Sequence, residues 1–310
     1  MKAVAVISAL AAASTVAAIT DTQILQFALT LEHLESTFYK GVLARFDAHD
    51  FAKAGYGPSV RQRIVELGSD EQTHVNYLTA ALKQDAVGPC KYSFPYNSVT
   101  GALGLARVLE SVGVSAYLGA APAISSPAYL EVAGSILSVE ARHQGYVAET
   151  QKQSGFPSPF DIGIDPSQAY TLAAQFIVPG SCPAAVGALP VQDFPALTVE
   201  TASPAAGKPI SFKFASKSSA QKYAHFIFAN AGGAMDIGLP LNSKDTVTFP
   251  KGALGPVYII ITDSADAVTD AHTIAGPAIV QLSDPDVSSK PWGKPAKSHK
   301  KKPCKKSHKA

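Results

Sequence analysis

Two short segments carry the strongest chemical signal in the chain: Glu71-Gln72-Thr73-His74 and Glu140-Ala141-Arg142-His143. On a helix, an i,i+3 spacing puts both side chains of each pair on one face. Two further acids, Glu32 and Glu110, are each followed seven residues later by a tyrosine, Tyr39 and Tyr117. With 9 Glu and 8 His in 310 residues, chance supplies about 0.2 Glu-x-x-His pairs, so two of them form a pattern. Four carboxylates and two imidazoles are hard oxygen and nitrogen donors. That set suits two divalent ions, iron or manganese, and contains none of the thiolates that softer metals select.

These residues must be brought together by helices. Residues 21–154 show helical periodicity in four blocks, at about 21–46, 58–83, 98–121 and 126–153. Asp21 reads as an N-cap of the first block. Pro58 opens the second, and Ser126-Pro127 opens the fourth as a cap followed by proline. Each block places its Glu or Glu-x-x-His on the same stripe as its Leu, Val and Ala residues. The chain therefore contains two copies of one hairpin, Glu…Tyr followed by Glu-x-x-His. Four such helices make a bundle, and unpaired carboxylates in its core cost several kcal/mol each unless a cation relieves them. The link between the second and third blocks is about 15 residues. It can span the bundle, so crossover and simple up-down topologies are both open.

Glu35 breaks the repeat. It lies one turn after Glu32, where the third block has Gly113. It reads either as an additional carboxylate, ligand or proton carrier, or as a surface acid beside His33. Tyr39 and Tyr117 read either as redox-active or ligand-supporting groups, or as core tyrosines with satisfied hydroxyls. His225 and His272 lack acidic or thiol partners at ligand spacing and read as structural. Ser59 and Ser111 have no His/Asp context, and Ala231-Gly232-Gly233 precedes no helix, so neither a hydrolase nor a phosphate loop is indicated.

Residues 155–195 are rich in Pro and Gly, with one helical turn expected at Pro166–Ala174. Beyond them the period changes to two. Ile210–Phe214, Tyr223–Phe228, Thr246–Phe249, Val257–Ile261 and Ala278–Leu282 alternate as short strands of a small β-sandwich. The expected organisation is a leader at 1–18, a bundle at 19–155, a connecting segment at 156–195, a β-sandwich at 196–283 and a disordered tail at 284–310. The fold class is α+β.

Charge is divided unevenly. The net charge is +2, but 290–310 hold nine Lys and no acid; setting these and Lys2 aside leaves 19–289 at −8. An acidic body with a basic tail lacks the overall balance of a specific nucleic-acid binder. The tail, with its two Lys-Ser-His-Lys units, is expected to attach to acidic polymers such as a cell-wall surface, or else to be a dispensable solvated segment. No apolar run after the leader is long enough to span a bilayer. Residues 1–18 read as a secretory signal ending at Val16-Ala17-Ala18. In an oxidising compartment the loop cysteines Cys90 and Cys182 are expected to pair, rather than stay free, with Cys304 the odd thiol.

The six ligand-type residues resemble those of the ferritin-like superfamily, with the Glu-to-Tyr spacing of bacterioferritin- and rubrerythrin-type sequences. A closer similarity is to secreted fungal ferritin-like proteins described in stress response or sexual development, related to plant desiccation proteins. It is carried by Ala28-Leu29-Thr30-Leu31-Glu32-His33-Leu34-Glu35, Val114-Ser115-Ala116-Tyr117-Leu118-Gly119-Ala120-Ala121 and Ser138-Val139-Glu140-Ala141-Arg142-His143, together with Pro89-Cys90 and Ser181-Cys182-Pro183. The resemblance covers about 21–200. It implies a four-helix bundle and a dinuclear site held by Glu32, Glu71, His74, Glu110, Glu140 and His143. The expected function is a secreted dinuclear oxidoreductase acting on oxygen or peroxide: ferroxidase, peroxidase or catalase-like. The alternative is a non-catalytic extracellular metal-binding or surface-protecting protein. A mineral-storing cage is disfavoured, because the β-unit and tail would have to sit outside its shell.

Overall fold

The computed structural model describes residues 19–216, 219–266 and 268–282. The expected leader (1–18), the Lys-rich tail and Cys304 lie outside them.

Four long helices form the N-terminal half: α1 (Asp21–Arg45), α3 (Pro58–Leu82), α4 (Val99–Ala120) and α5 (Pro127–Thr150), with a short α2 (Ala48–Lys53) after α1. The cap of α1 is Thr20, one residue before the expected Asp21. The Thr20 hydroxyl accepts from the Gln23 amide, and the Gln23 side chain accepts from the Thr20 amide. Asp21 is already helical. Its carboxylate instead accepts from Ser125 N at 2.8 Å, Ser125 Oγ at 2.9 Å and Ser126 N at 2.9 Å, tying the start of α1 to the start of α5.

Cross-helix contacts decide the topology. Ser36 reaches Gln72, and Arg61 reaches the Leu43 carbonyl, so α1 and α3 are antiparallel. Tyr39 reaches Glu110 while Tyr117 reaches Glu32, so α1 and α4 are antiparallel too. It follows that α3 and α4 run parallel, and the link between them must travel the length of the bundle. This is the crossover arrangement. Aromatic side chains pin the link along its course: Phe94 and Tyr96 meet the Phe38 ring edge-to-face at 5.2 and 5.6 Å. Val99–Ala123 is not an unbroken apolar run, since it contains Arg107 and Glu110, but it is long and apolar enough on average to cross a membrane; it is largely buried inside the bundle, which accounts for its composition.

After α5 the chain folds back over α4. A Cβ at Gly119 would lie 1.9 Å from the Ile164 carbonyl oxygen, so only glycine permits this approach, and Ile164 N donates to Ser115 O at 3.1 Å. The expected helical turn is α6 (Pro166–Ala174), followed by a single turn, α7 (Ala184–Gly187). The segment after α6 pairs with the crossover link: Ser93 N donates to Phe176 O and Val178 N to Lys91 O. Cys90 and Cys182 form a disulfide across this pairing, 92 residues apart. Chain entropy alone assigns a loop of this size about 4–5 kcal/mol. Cys90→Ser is therefore expected to lower the melting temperature by roughly 10 °C with unchanged far-UV circular dichroism. A calorimetric shift under about 2 °C would sink that assignment.

Among the described residues the C-terminal unit has seven strands: β1 (Leu197–Val199), β2 (Pro209–Phe214), β3 (Tyr223–Asn230), β4 (Gly233–Pro240), β5 (Thr246–Thr248), β6 (Gly255–Thr262) and β7 (Thr273–Leu282). They form two antiparallel sheets, β1-β2-β5 and β4-β3-β6-β7. Phe212, Phe226, Phe228, Phe249, Ile259 and Ile261 fill the space between them. Two strands lie outside the five expected. β1 has three residues, and β4 contains two Gly, an Asp and a terminal Pro, all poor strand formers. Pairing with β3 through the two-residue turn Ala231-Gly232 imposes β4. The unit locks onto α4 through fully buried Tyr258, whose hydroxyl donates to Ser111 O or Ser115 Oγ, both at 2.8 Å. Gln281 Nε2 donates to Ser111 Oγ.

Candidate metal centre

Each long helix contributes to one buried cluster halfway along the bundle. Glu32 comes from α1, Glu71 and His74 from α3, Glu110 from α4, and Glu140 and His143 from α5. All four glutamates are 0% exposed, and His74 and His143 are 8% and 5% exposed. The six divide into two sets of four. Glu32, Glu71, His74 and Glu140 each offer a donor atom within 4.8 Å of the others; so do Glu71, Glu110, Glu140 and His143. Glu71 and Glu140 belong to both sets. The geometry thus gives two overlapping donor sets that share two carboxylates, with one further Glu and one His apiece, each able to hold a metal ion.

Residues 20–153 match the family model for a ferritin-like domain. They are a ferritin-like domain. The chain is also similar to protein rds1 of Schizosaccharomyces pombe, 30% identical over 177 residues, which cover 57% of this chain and 44% of that protein. The chain therefore spans less than half the length of this relative.

Within the ferritin-like domain the cluster leaves five of its polar atoms without an internal partner. Glu71 Oε1, Glu110 Oε2, both carboxylate oxygens of Glu140 and Nδ1 of His143 are buried without a hydrogen bond. His143 Nδ1 and Glu71 Oε1 lie 2.9 Å apart but are not aligned as donor and acceptor. Buried polar groups in folded proteins are almost always satisfied. Five orphan atoms converging on one point, all of them metal-donor types, fit a pair of divalent ions.

Electrostatics say the same. Burial pushes Glu71 up to about 7, although the imidazoles of His143 and His74 pull it down. Glu140 is held well above the ordinary carboxylate range, first by burial and then by Glu71, with Glu110 and Glu32 adding. Burial opposes charge on the two imidazoles but loses. Glu110 and Glu71 raise His143 to about 11, and Glu140, Glu32 and Glu71 raise His74 well above the usual range. Without metal, the cluster holds protons where cations would sit.

The tyrosines support the outer carboxylates. Tyr39 donates to Glu110 Oε1 and Tyr117 to Glu32 Oε1, each reaching across to the other hairpin. Burial, followed by those same carboxylates, raises both phenols well above 10, so they remain donors at any physiological pH. Glu35 is 3% exposed, so the surface-acid reading is wrong; α6 covers the α1–α4 face on which it lies. Its counterpart Gly113 leaves the room it needs. A Cβ there would come within 3.0 Å of both Glu35 Oε1 and Glu140 Oε2.

One functional neighbour was missed from the sequence. Asp70, immediately before Glu71, accepts from His143 Nε2 at 3.2 Å. A lone acid on an exposed helix face carries no signal until the facing helix is placed. Elsewhere, His225 and His272 do have acidic partners, Asp236 and Asp263, each at 2.8 Å. Sheet pairing brings together residues 11 and 9 positions apart, which a search at ligand spacing passes over.

Proposed function

We propose that the ferritin-like domain holds two divalent ions, iron or manganese, in the two overlapping donor sets, and that it is a secreted oxidoreductase using dioxygen or peroxide under stress. The observation that supports this is that Glu71 and Glu140 belong to both donor sets, an arrangement that suits two cations side by side better than one. Such a pair, when bound, would supply the one-electron and dioxygen chemistry that non-haem metal centres carry. Glu32 and Glu110 are held in orientation by Tyr117 and Tyr39. Leu31, Leu78, Ala116 and Ile136 line an apolar pocket beside Tyr117, a lining that favours a small neutral co-substrate over a charged one. The disulfide is compatible with an extracellular protein. Export through the leader and attachment of the basic tail to acidic polymers complete the proposal.

Elemental analysis of the purified protein, followed by ferrous-oxidation and peroxide-consumption assays on the same sample, tests it. Two equivalents of metal with turnover in either assay is the expected result. Two equivalents without turnover would leave the protein a non-catalytic metal binder, and absence of metal at saturating Fe²⁺ and Mn²⁺ would end the dinuclear reading.

A further inference from the structure

The two hairpins repeat the ligands but not what stands behind them. Glu32 and Glu110, Glu71 and Glu140, and His74 and His143 occupy equivalent places, whereas the equivalent of Asp70 is Val139. His143 accordingly has a carboxylate on its outer nitrogen, with Nε2 to Asp70 Oδ2 at 3.2 Å. His74 Nε2 has no hydrogen-bond partner among the described residues, and its polar neighbours all lie on the Nδ1 side: Glu32 at 3.2 Å, Glu71 at 3.3 Å and Glu140 at 3.3 Å.

We infer that Asp70 is a positioning residue which makes the two metal positions unequal, so that the one built on His143 and Glu110 fills before the one built on His74 and Glu32. This rests on the dinuclear reading above. An ionised carboxylate only accepts hydrogen bonds, so Asp70 holds the proton on Nε2 and leaves Nδ1 as the nitrogen that binds metal. It also fixes the place of the ring, with Nδ1 2.9 Å from a Glu71 oxygen and 3.5 Å from a Glu110 oxygen. Orientation is therefore set before the ion arrives, and so is which nitrogen gives up its proton to it. His74 has no such fixture among the described residues: its ring is held only through Nδ1, by Glu32 and Glu71, and those hydrogen bonds are given up when that nitrogen takes the metal. Partners of this kind are worth about 10–100-fold in metal affinity. Glu71 and Glu140 are common to both positions and cannot create the difference.

Metal-free full-length protein titrated with Mn²⁺ and followed by electron paramagnetic resonance tests this. The first equivalent should give an uncoupled single-ion spectrum, and the spin-coupled pair should appear only with the second, at a free Mn²⁺ concentration about 10–100-fold higher. Asp70→Asn should weaken the first step by a similar factor and bring the two steps together. Asp70→Glu should recover part of the separation, which a merely structural surface residue would not do. His74→Ala should keep one ion at the wild-type first-step affinity, and His143→Ala should lose that step. Because Asp70 is half exposed, its variants are not expected to disturb the fold. A coupled spectrum from the first addition, an Asp70→Asn titration identical to wild type, or a tight step surviving in His143→Ala overturns the inference while leaving the dinuclear centre intact. A wild-type protein that binds neither Mn²⁺ nor Fe²⁺ overturns both.

Discussion

Glu71→Ala and Glu140→Ala should each remove both metal ions, whereas Glu32→Ala and Glu110→Ala should each remove about one. The difference follows from sharing. Glu71 and Glu140 supply donors to both positions, so losing either leaves each ion with three protein ligands and one fewer negative charge; losing a terminal glutamate damages only its own side. At fixed metal concentration the bridging variants should fall from two equivalents to near zero, a loss of at least about 1,000-fold in affinity if each ion forfeits one charged oxygen donor worth several kcal/mol. The helices should stay formed, because the substitution also removes repulsion from the core. Inductively coupled plasma measurements on the four variants, with circular dichroism as a control, are sufficient. Equal losses in all four would show that the carboxylates are not partitioned as the geometry indicates.

Metal-free protein should become less stable as pH rises, the reverse of ordinary acid denaturation. Glu71 is lifted from an ordinary 4.5 to about 7, and Glu140 and Glu35 are lifted well above 4.5, each first by burial. An acid whose folded pKa is raised stabilises fully below its unfolded pKa, and that contribution is lost as pH climbs through the folded value. For Glu71 the window is roughly pH 4.5 to 7, and the loss is roughly 3 kcal/mol. His143 acts with the same sign at higher pH, from 6.5 to about 11. Taken together, the melting temperature of the metal-free protein should drop steadily between pH 5 and pH 8. Metal reverses the slope, because it replaces the protons and must compete with them. Loading at pH 7 should therefore release protons from His74 and His143, which titration calorimetry in buffers of different ionisation enthalpy measures. A metal-free melting temperature that rises with pH over this range would contradict the picture of a protonated carboxylate core.

The location of the cluster was legible in the residues because its chemistry is local. Glu-x-x-His puts two donors on one helical face whatever the rest of the chain does, and a second copy on a second helix implies a meeting point. The long helices were legible for the same reason, since a 3.6-residue period and Pro or Ser at a helix start are properties of short segments. What could not be read was whatever depends on which helix faces which. The crossover course of residues 83–98 follows from Tyr39 meeting Glu110 and Tyr117 meeting Glu32. The burial of Glu35 depends on α6 and on the room at Gly113. The bond from Asp70 to His143 joins side chains 73 residues apart, and β4 exists because β3 stands beside it. The sequence by itself determined the donor types, their number and the elements carrying them. Only the tertiary structure decided which two glutamates are shared and which histidine is held from behind, because sharing and support are distances between helices, and no spacing along one helix encodes them.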